Sequence, residues 1–188
     1  DGNQKSKVVQ GTGDSKPQTA IRNPQSPSRR FWRVPVMDGE FTCEETIGAM
    51  KAIGGGNFLV CGRDQPSTLD ATRAAVEAMA ALPDTITPFP GGIVRSGSKV
   101  GSRYSGLFAS TNDEYCPTLR GIAKNSKLRD GVTCVYEIVI NGLSEAAIAA
   151  AMKAGITAAC SHDVIAISAG NYGGKLGKFH FKLCEVMA

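Results

Sequence analysis

Apolar and polar positions repeat with two periods along this 188-residue chain. Helical spacing predicts a helix over residues 66–84, with Leu69, Val76, Met79 and Leu82 on one face. Ser67 or Thr68 is the expected cap, Asp70 sits near the positive end, and Pro83 terminates the helix. A second helix is predicted over residues 144–156, capped by Ser144 and stopped by Gly155. Ile47, Met50 and Ile53 predict an earlier helix in residues 43–57, ended by the glycines at 54–56. Short apolar runs predict strands over residues 57–64, around 92–96, over 132–143, over 164–171 and over 178–186. Phe31/Arg33 and Trp32/Val34 alternate in an extended segment that Pro35 confines to a sheet edge. A short helix is expected at residues 117–125.

From Phe58 to Ala169 the order is strand, helix, strand, strand, helix, strand. That order suits an α+β lobe of ferredoxin-like type, a mainly antiparallel sheet with helices on one face. In "VTCVYEIVINGL" Val132, Cys134, Tyr136, Ile138 and Ile140 share one face, and Thr133, Val135, Glu137, Val139 and Asn141 the other. Both faces are apolar, so the face away from the helices also needs a cover: the early helix, another lobe or another subunit. Residues 1–30 are rich in Gly, Pro, Ser, Gln and basic residues and are expected to be a flexible linker or inter-lobe insertion. Residues 31–188 form the lobe proper.

Bulk properties alter this picture little. Net charge of +4 is mildly basic, which suits polyanionic small ligands without requiring nucleic acid. No apolar run approaches the ~20 residues of a membrane span, and no signal-peptide pattern opens the chain. Because the chain starts at Asp1 rather than Met, it is expected to be part of a longer product. The six cysteines show no CxxC pairing, and with only His162 and His180 beside them a zinc site lacks ligand spacing. Reduced thiols in the cytoplasm are the expectation.

Three stretches carry candidate chemistry. Glu137 sits between valines in a buried strand, where desolvation disfavours the charged form, and a carboxyl kept neutral can donate a proton. A Glu paired with a buried Lys or Arg, or one on an exposed sheet edge, fits the same periodicity. "PFPGGIVRSGSKVGSR" places Arg95, Ser96, Ser98, Lys99 and Arg103 among glycines, a composition suited to carboxylates or phosphates and equally to a solvated loop. "SAGNYGGKLGKFHF" does the same with Asn171, Tyr172, Lys175 and Lys178, or forms a long hairpin connection. Neither stretch keeps the GxxxxGK[ST] register of a P-loop. "GGGN" at 54–57 follows a predicted helix, so it is no dinucleotide fingerprint, although Asn57 could line a pocket. His180 alternates with Phe179 and Phe181 as an ordinary strand residue. No Ser/His/Asp or Cys/His set can be assembled.

Taken in order, "WRVPVMDGEF", "GGGNF", "TITPFPGGIVRSGSKVG", "VYEIVINGL", "AAMKAGI" and "ISAGNYGGKLGKFHFKL" resemble the C-terminal lobe of the formylmethanofuran–tetrahydromethanopterin formyltransferase family. The resemblance runs from Phe31 to the end of the chain. It implies formyl transfer between the amine of methanofuran and N5 of tetrahydromethanopterin, co-substrates rather than bound cofactors. It further implies two similar ferredoxin-like lobes, assembly into dimers and tetramers, and a cleft where lobes and subunits meet. A glutamate in the strand before Asn-Gly-Leu is the implied acid, and Glu137 occupies that position. The family's N-terminal lobe is missing, so the expected partners are that lobe, further copies of the chain and other subunits of a formyltransferase/hydrolase complex. A non-catalytic structural or pterin-binding lobe is the alternative. An RNA-binding module is disfavoured, because the aromatic strand pattern of such domains is imitated only by "GKFHFKL".

Overall fold

The computed structural model describes residues 30–95, 111–170 and 177–188, together with the backbone of residues 9–11. They fall into two compact units, residues 1–50 and 51–188. In the first unit, strands β1 (Val9–Gly11), β2 (Phe31–Val36) and β3 (Gly39–Glu44) form an antiparallel sheet in that order. β1 lies within the stretch whose composition marks a connector. Trp32 pairs with Cys43 and Val34 with Phe41, so Trp32, Val34, Val36, Phe41 and Cys43 share one face. Arg33 and Glu40 meet on the opposite face at 3.6 Å.

The helix expected over residues 43–57 does not form. Glu44 is held in the ladder opposite Phe31, and the Glu45 amide donates to the Arg30 carbonyl at 2.9 Å. The glycines beyond, poor helix formers, extend a strand instead.

The second unit contains β4 (Ile53–Gly62), α1 (Gln65–Ala80), β5 (Thr85–Ile86), β6 (Cys134–Gly142), α2 (Glu145–Ala159), β7 (Ala166–Ser168) and α3 (Leu183–Met187). Its sheet has the order β5-β6-β4-β7, with every neighbouring pair antiparallel. This is the ferredoxin-like arrangement predicted from the hydrophobic pattern. Phe58, Val60, Ile138 and Ile140 turn one face of the central strands toward Ala71, Ala75 and Met79 of α1 and Ile148, Met152 and Ile156 of α2. Ser144 caps α2, accepting from the Ala147 amide at 3.1 Å.

Several local expectations are corrected. The cap of α1 is Asp64, which accepts from the Ser67 amide at 2.9 Å; Ser67 and Thr68 lie inside the helix. That bond holds the Asp64 carboxyl below its ordinary range. Among the described residues, the strand expected around residues 92–96 contributes a single bridge at Val94, while Thr85–Ile86 forms the paired edge segment. Pro88 and Pro90 lie between them and have no amide hydrogen to give the ladder. Only Pro117–Leu119 of the helix expected at 117–125 is formed, as a 3-10 turn.

Residues 178–186 do not form the expected strand. Leu183 and Val186, one helical turn apart, pack on the main core from α3. Gly155 does not stop α2, which continues to Ala159. It is buried where the helix crosses α1: a Cβ there would stand 2.5 Å from Met79 Sδ and 3.1 Å from Phe58 Cζ. The missing side chain lets the helices approach.

The face away from the helices is partly covered by the unit's own chain rather than by the early helix. Tyr115, Leu128 and Val132, from the irregular segment before β6, pack with Leu59, Cys61 and Val135.

Gly155→Val is expected to destabilise the chain by about 1–3 kcal/mol through overpacking. Denaturant unfolding would measure this, and Met79→Ala in the same background should recover part of the loss because it empties the space the new methyls enter.

Candidate functional site

Antiparallel pairing places four residues in a row across the sheet: Val94, Glu137, Leu59 and Ser168. Residues in such a row project from the same face, here the face away from α1 and α2. Glu137 lies at the centre, 7% exposed. The Val94 amide donates to the Glu137 carbonyl at 2.8 Å, and the Glu137 amide to the Val94 carbonyl at 3.0 Å. The expected placement of Glu137 in a central apolar strand is therefore observed.

Asn57 Nδ2 donates to the Glu137 carboxyl at Oε1, 2.8 Å away. Asn57 is two residues along β4 from Leu59, diagonal to Glu137 on the same face. Its Oδ1 in turn accepts from the Gly170 amide at 3.2 Å. Gly170 is tightly enclosed: a Cβ there would lie 2.4 Å from Asn112 Oδ1 and 3.1 Å from Asn57 Nδ2. Beside this group Ser168 Oγ and the Tyr115 hydroxyl are 2.7 Å apart.

Asn57, Tyr115, Ser168 and Gly170 line a cleft of about 930 Å³, closed on its other sides by residues 52–56 and 177–183. Lys127, Lys178, His180 and Lys182 supply basic groups to its walls. Hydrogen bonding to Glu114 holds the Lys127 ammonium above its ordinary range, and Glu185 does the same for Lys182. The cleft thus offers amides, hydroxyls and cations beside a buried carboxyl, a donor set for an anionic ligand that needs proton transfer. Among the described residues no group of three or more His, Cys, Asp or Glu is placed to hold a metal ion. Nor is any described helix long and apolar enough to cross a membrane.

Both glycine-rich stretches are rooted beside this row. Arg95 follows Val94 and is exposed, but it is not among the cleft residues. Ser96, Ser98, Lys99 and Arg103, like Asn171, Tyr172 and Lys175, lie outside the described residues. His180 belongs to the cleft wall rather than to a strand. Sequence reasoning overlooked Tyr115, Asn112, Lys127 and Ser168. The first three stand in a stretch without periodicity, and Ser168 carried only a faint signal as the last polar position of its strand before Ala-Gly-Asn.

Residues 39–186 match the protein family described as "FTR, proximal lobe". The chain is 57% identical over 164 residues to the formylmethanofuran–tetrahydromethanopterin formyltransferase of Methylobacillus flagellatus, covering 85% of this chain and 54% of that protein. It is 52% identical over 195 residues to the protein of the same name from Rhodopirellula baltica, covering 100% of this chain and 55% of the other. Two solved structures are similar. One is the formyltransferase/hydrolase complex of Methylorubrum extorquens with methylofuran, with a TM-score of 0.67 and 52% identity over 85% of this chain and 53% of the other. The second is the Methanosarcina barkeri formylmethanofuran:tetrahydromethanopterin formyltransferase, with a TM-score of 0.67 and 53% identity over 85% and 54%. The chain spans about half the length of these relatives.

The dryness of the face that carries Glu137 can be checked through Cys61, which shares it. Burial pushes that thiol from 9.0 up to about 11, with Arg129 opposing and Cys134 adding to the effect. Between those values the folded chain holds more protons than the unfolded one, so stability should fall as pH rises through that window. Denaturation at a series of pH values should show wild type losing about 1–3 kcal/mol more than Cys61→Ala over this range.

Proposed function

The chain belongs to the FTR proximal-lobe family, and from that premise we propose that it forms the acid-bearing half of a formyltransferase. The reaction is transfer of a formyl group between the amine of methanofuran, or an analogue, and N5 of tetrahydromethanopterin. One observation carries the reading: a buried carboxyl on the sheet, Glu137, linked through a single side chain, Asn57, to the wall of a basic cleft.

N5 attacks the formamide carbon, and the carbonyl π electrons move to oxygen, giving a tetrahedral oxyanion. Collapse re-forms the carbonyl and breaks the bond to the methanofuran nitrogen, which needs a proton to leave as an amine. Glu137 supplies that proton and is recharged by the one lost from N5, so the carboxyl ends as it began. Such general acid catalysis is worth typically ~10²–10⁴-fold in rate. Lys127, Lys178 and Lys182 at the cleft suit the carboxylates of both substrates and the phosphate of the pterin. Arg95 and the loop residues Ser96, Ser98, Lys99, Asn171, Tyr172 and Lys175 extend this anion-binding role.

A second reading, a lobe that holds an assembly together or presents pterin, draws support from the similarity to a relative named as a subunit of a larger complex. Val36 and Phe41, exposed on one face of the β2–β3 hairpin, suit partner contacts in either case. The Methylorubrum extorquens relative is named as a subunit of a formyltransferase/hydrolase complex, and we propose comparable assembly here.

In the enzyme reconstituted from this chain and its remaining half, Glu137→Gln should lower kcat by about 10²–10⁴-fold with little change in KM. Full turnover by that variant would remove the acid, and wild-type assembly without turnover would favour the structural reading.

A further inference from the structure

Tyr115 and Ser168 come from distant parts of the chain and meet at the cleft wall. The Tyr115 ring packs with Leu59, Cys61 and Val132. Its segment is tied down by the Lys127 amide, which donates to the Glu114 carbonyl at 2.8 Å, and by Arg120, whose guanidinium donates to the Leu128, Arg129 and Val132 carbonyls. Ser168 is placed by its pairing opposite Leu59. The two hydroxyls stand 2.7 Å apart, with Ser168 Oγ donating to the tyrosine oxygen. Two hydroxyls carry two hydrogens, and the bond between them uses only one. The pair therefore keeps a donor hydrogen, on Tyr115, and among the described residues no acceptor takes it. The Lys127 ammonium borders the same part of the cleft, near enough to Tyr115 for the two to interact electrostatically. Its bond to Glu114 leaves it further hydrogens to give.

We propose that the Tyr115 hydroxyl and the Lys127 ammonium together bind an oxyanion of a co-substrate, a carboxylate or a phosphate, and that Ser168 is the positioning residue that directs the phenol hydrogen toward it. This inference rests on the reading of the chain as half of a formyltransferase. An oxyanion takes a charge-assisted bond from each donor at once, whereas a neutral carbonyl gains less from the ammonium. By donating to the phenol oxygen, Ser168 occupies one direction in which the hydrogen could otherwise point and polarises the O–H, which strengthens the bond it gives. The packed ring loses little freedom when the ligand arrives. Ser168 and Glu137 flank Leu59 in one row, so their backbones lie about 10 Å apart, twice the strand spacing. The oxyanion is thus a handle away from the reacting carbon, held equally in ground and transition states, and its loss appears in KM rather than kcat.

The test uses the reconstituted enzyme with Tyr115→Phe, Lys127→Met, Ser168→Ala, Ser168→Thr and the double variant Tyr115→Phe/Ser168→Ala. Tyr115→Phe keeps the packed ring and should raise KM for one co-substrate about tenfold, with kcat and the other KM little changed. Lys127→Met should raise the same KM. Ser168→Ala should raise it about two- to fivefold, and Ser168→Thr, which returns the hydroxyl, should restore it. Because Ser168 acts through the phenol, the double variant should behave as Tyr115→Phe does. A second readout needs no turnover: glutarate and inorganic phosphate, titrated separately into protein with isotope-labelled tyrosine, should differ in how far they shift the Tyr115 ring resonance. The more effective of the two identifies the oxyanion, and the shift should vanish in Lys127→Met. Unchanged KM values in Tyr115→Phe, or a resonance that neither anion moves, would overturn the inference. Losses that multiply in the double variant would overturn the part assigned to Ser168. A shifted resonance in an assembly without formyl transfer would keep the anion site and remove the formyltransferase reading.

Discussion

The site depends on the register of β4 against β6. With Leu59 opposite Glu137, Asn57 falls diagonal to the carboxyl on the face away from the helices, and Phe58 and Ile138 fall on the helix-packed face. A slip of one residue would invert every one of these assignments. The hydrophobic core therefore does more than stabilise the lobe. By demanding Phe58, Val60, Ile138 and Ile140 beneath α1 and α2, it compels Asn57 and Glu137 to project together.

A carboxyl among valines and leucines would be costly without a partner. Asn57 gives it a neutral one. An amide satisfies the buried oxygen while adding no net charge. At the cleft, Lys127 and Lys182 are themselves paired with Glu114 and Glu185. Paired cations thus sit on the cleft wall, while the buried carboxyl is held beside the amide.

Much of this was legible in the residue pattern. The period of two in "VTCVYEIVINGL" identifies the central strand and the face of Glu137, and the helices of residues 65–80 and 145–159 follow from their apolar stripes. Local competition hid the rest. Across residues 43–57 a helix-like spacing lost to strand pairing at both ends, in β3 up to Glu44 and in β4 from Ile53. At Gly155 a residue that usually ends helices serves close packing between two of them, a demand visible only once both helices are placed. Phe179 and Phe181 imitate a strand, but the turn from Leu183 to Val186 decides the segment. Asn57 was visible only as an end residue of "GGGN"; its partners are 80 and 113 positions away, and no periodicity reports contacts of that range.

The glycine tract that opens β4 has a consequence for how this lobe can vary. Between Ile53 and Gly56 the ladder shifts register, Gly55 adopts a φ of +86°, and its amide donates to Asn141 Oδ1 at 3.0 Å. The irregularity is absorbed before Gly56, so an added or deleted residue upstream can be taken up there while the pairing from Gly56 onward stays in step. The stretch before β4 can therefore change in length while the amide and its carboxyl continue to meet.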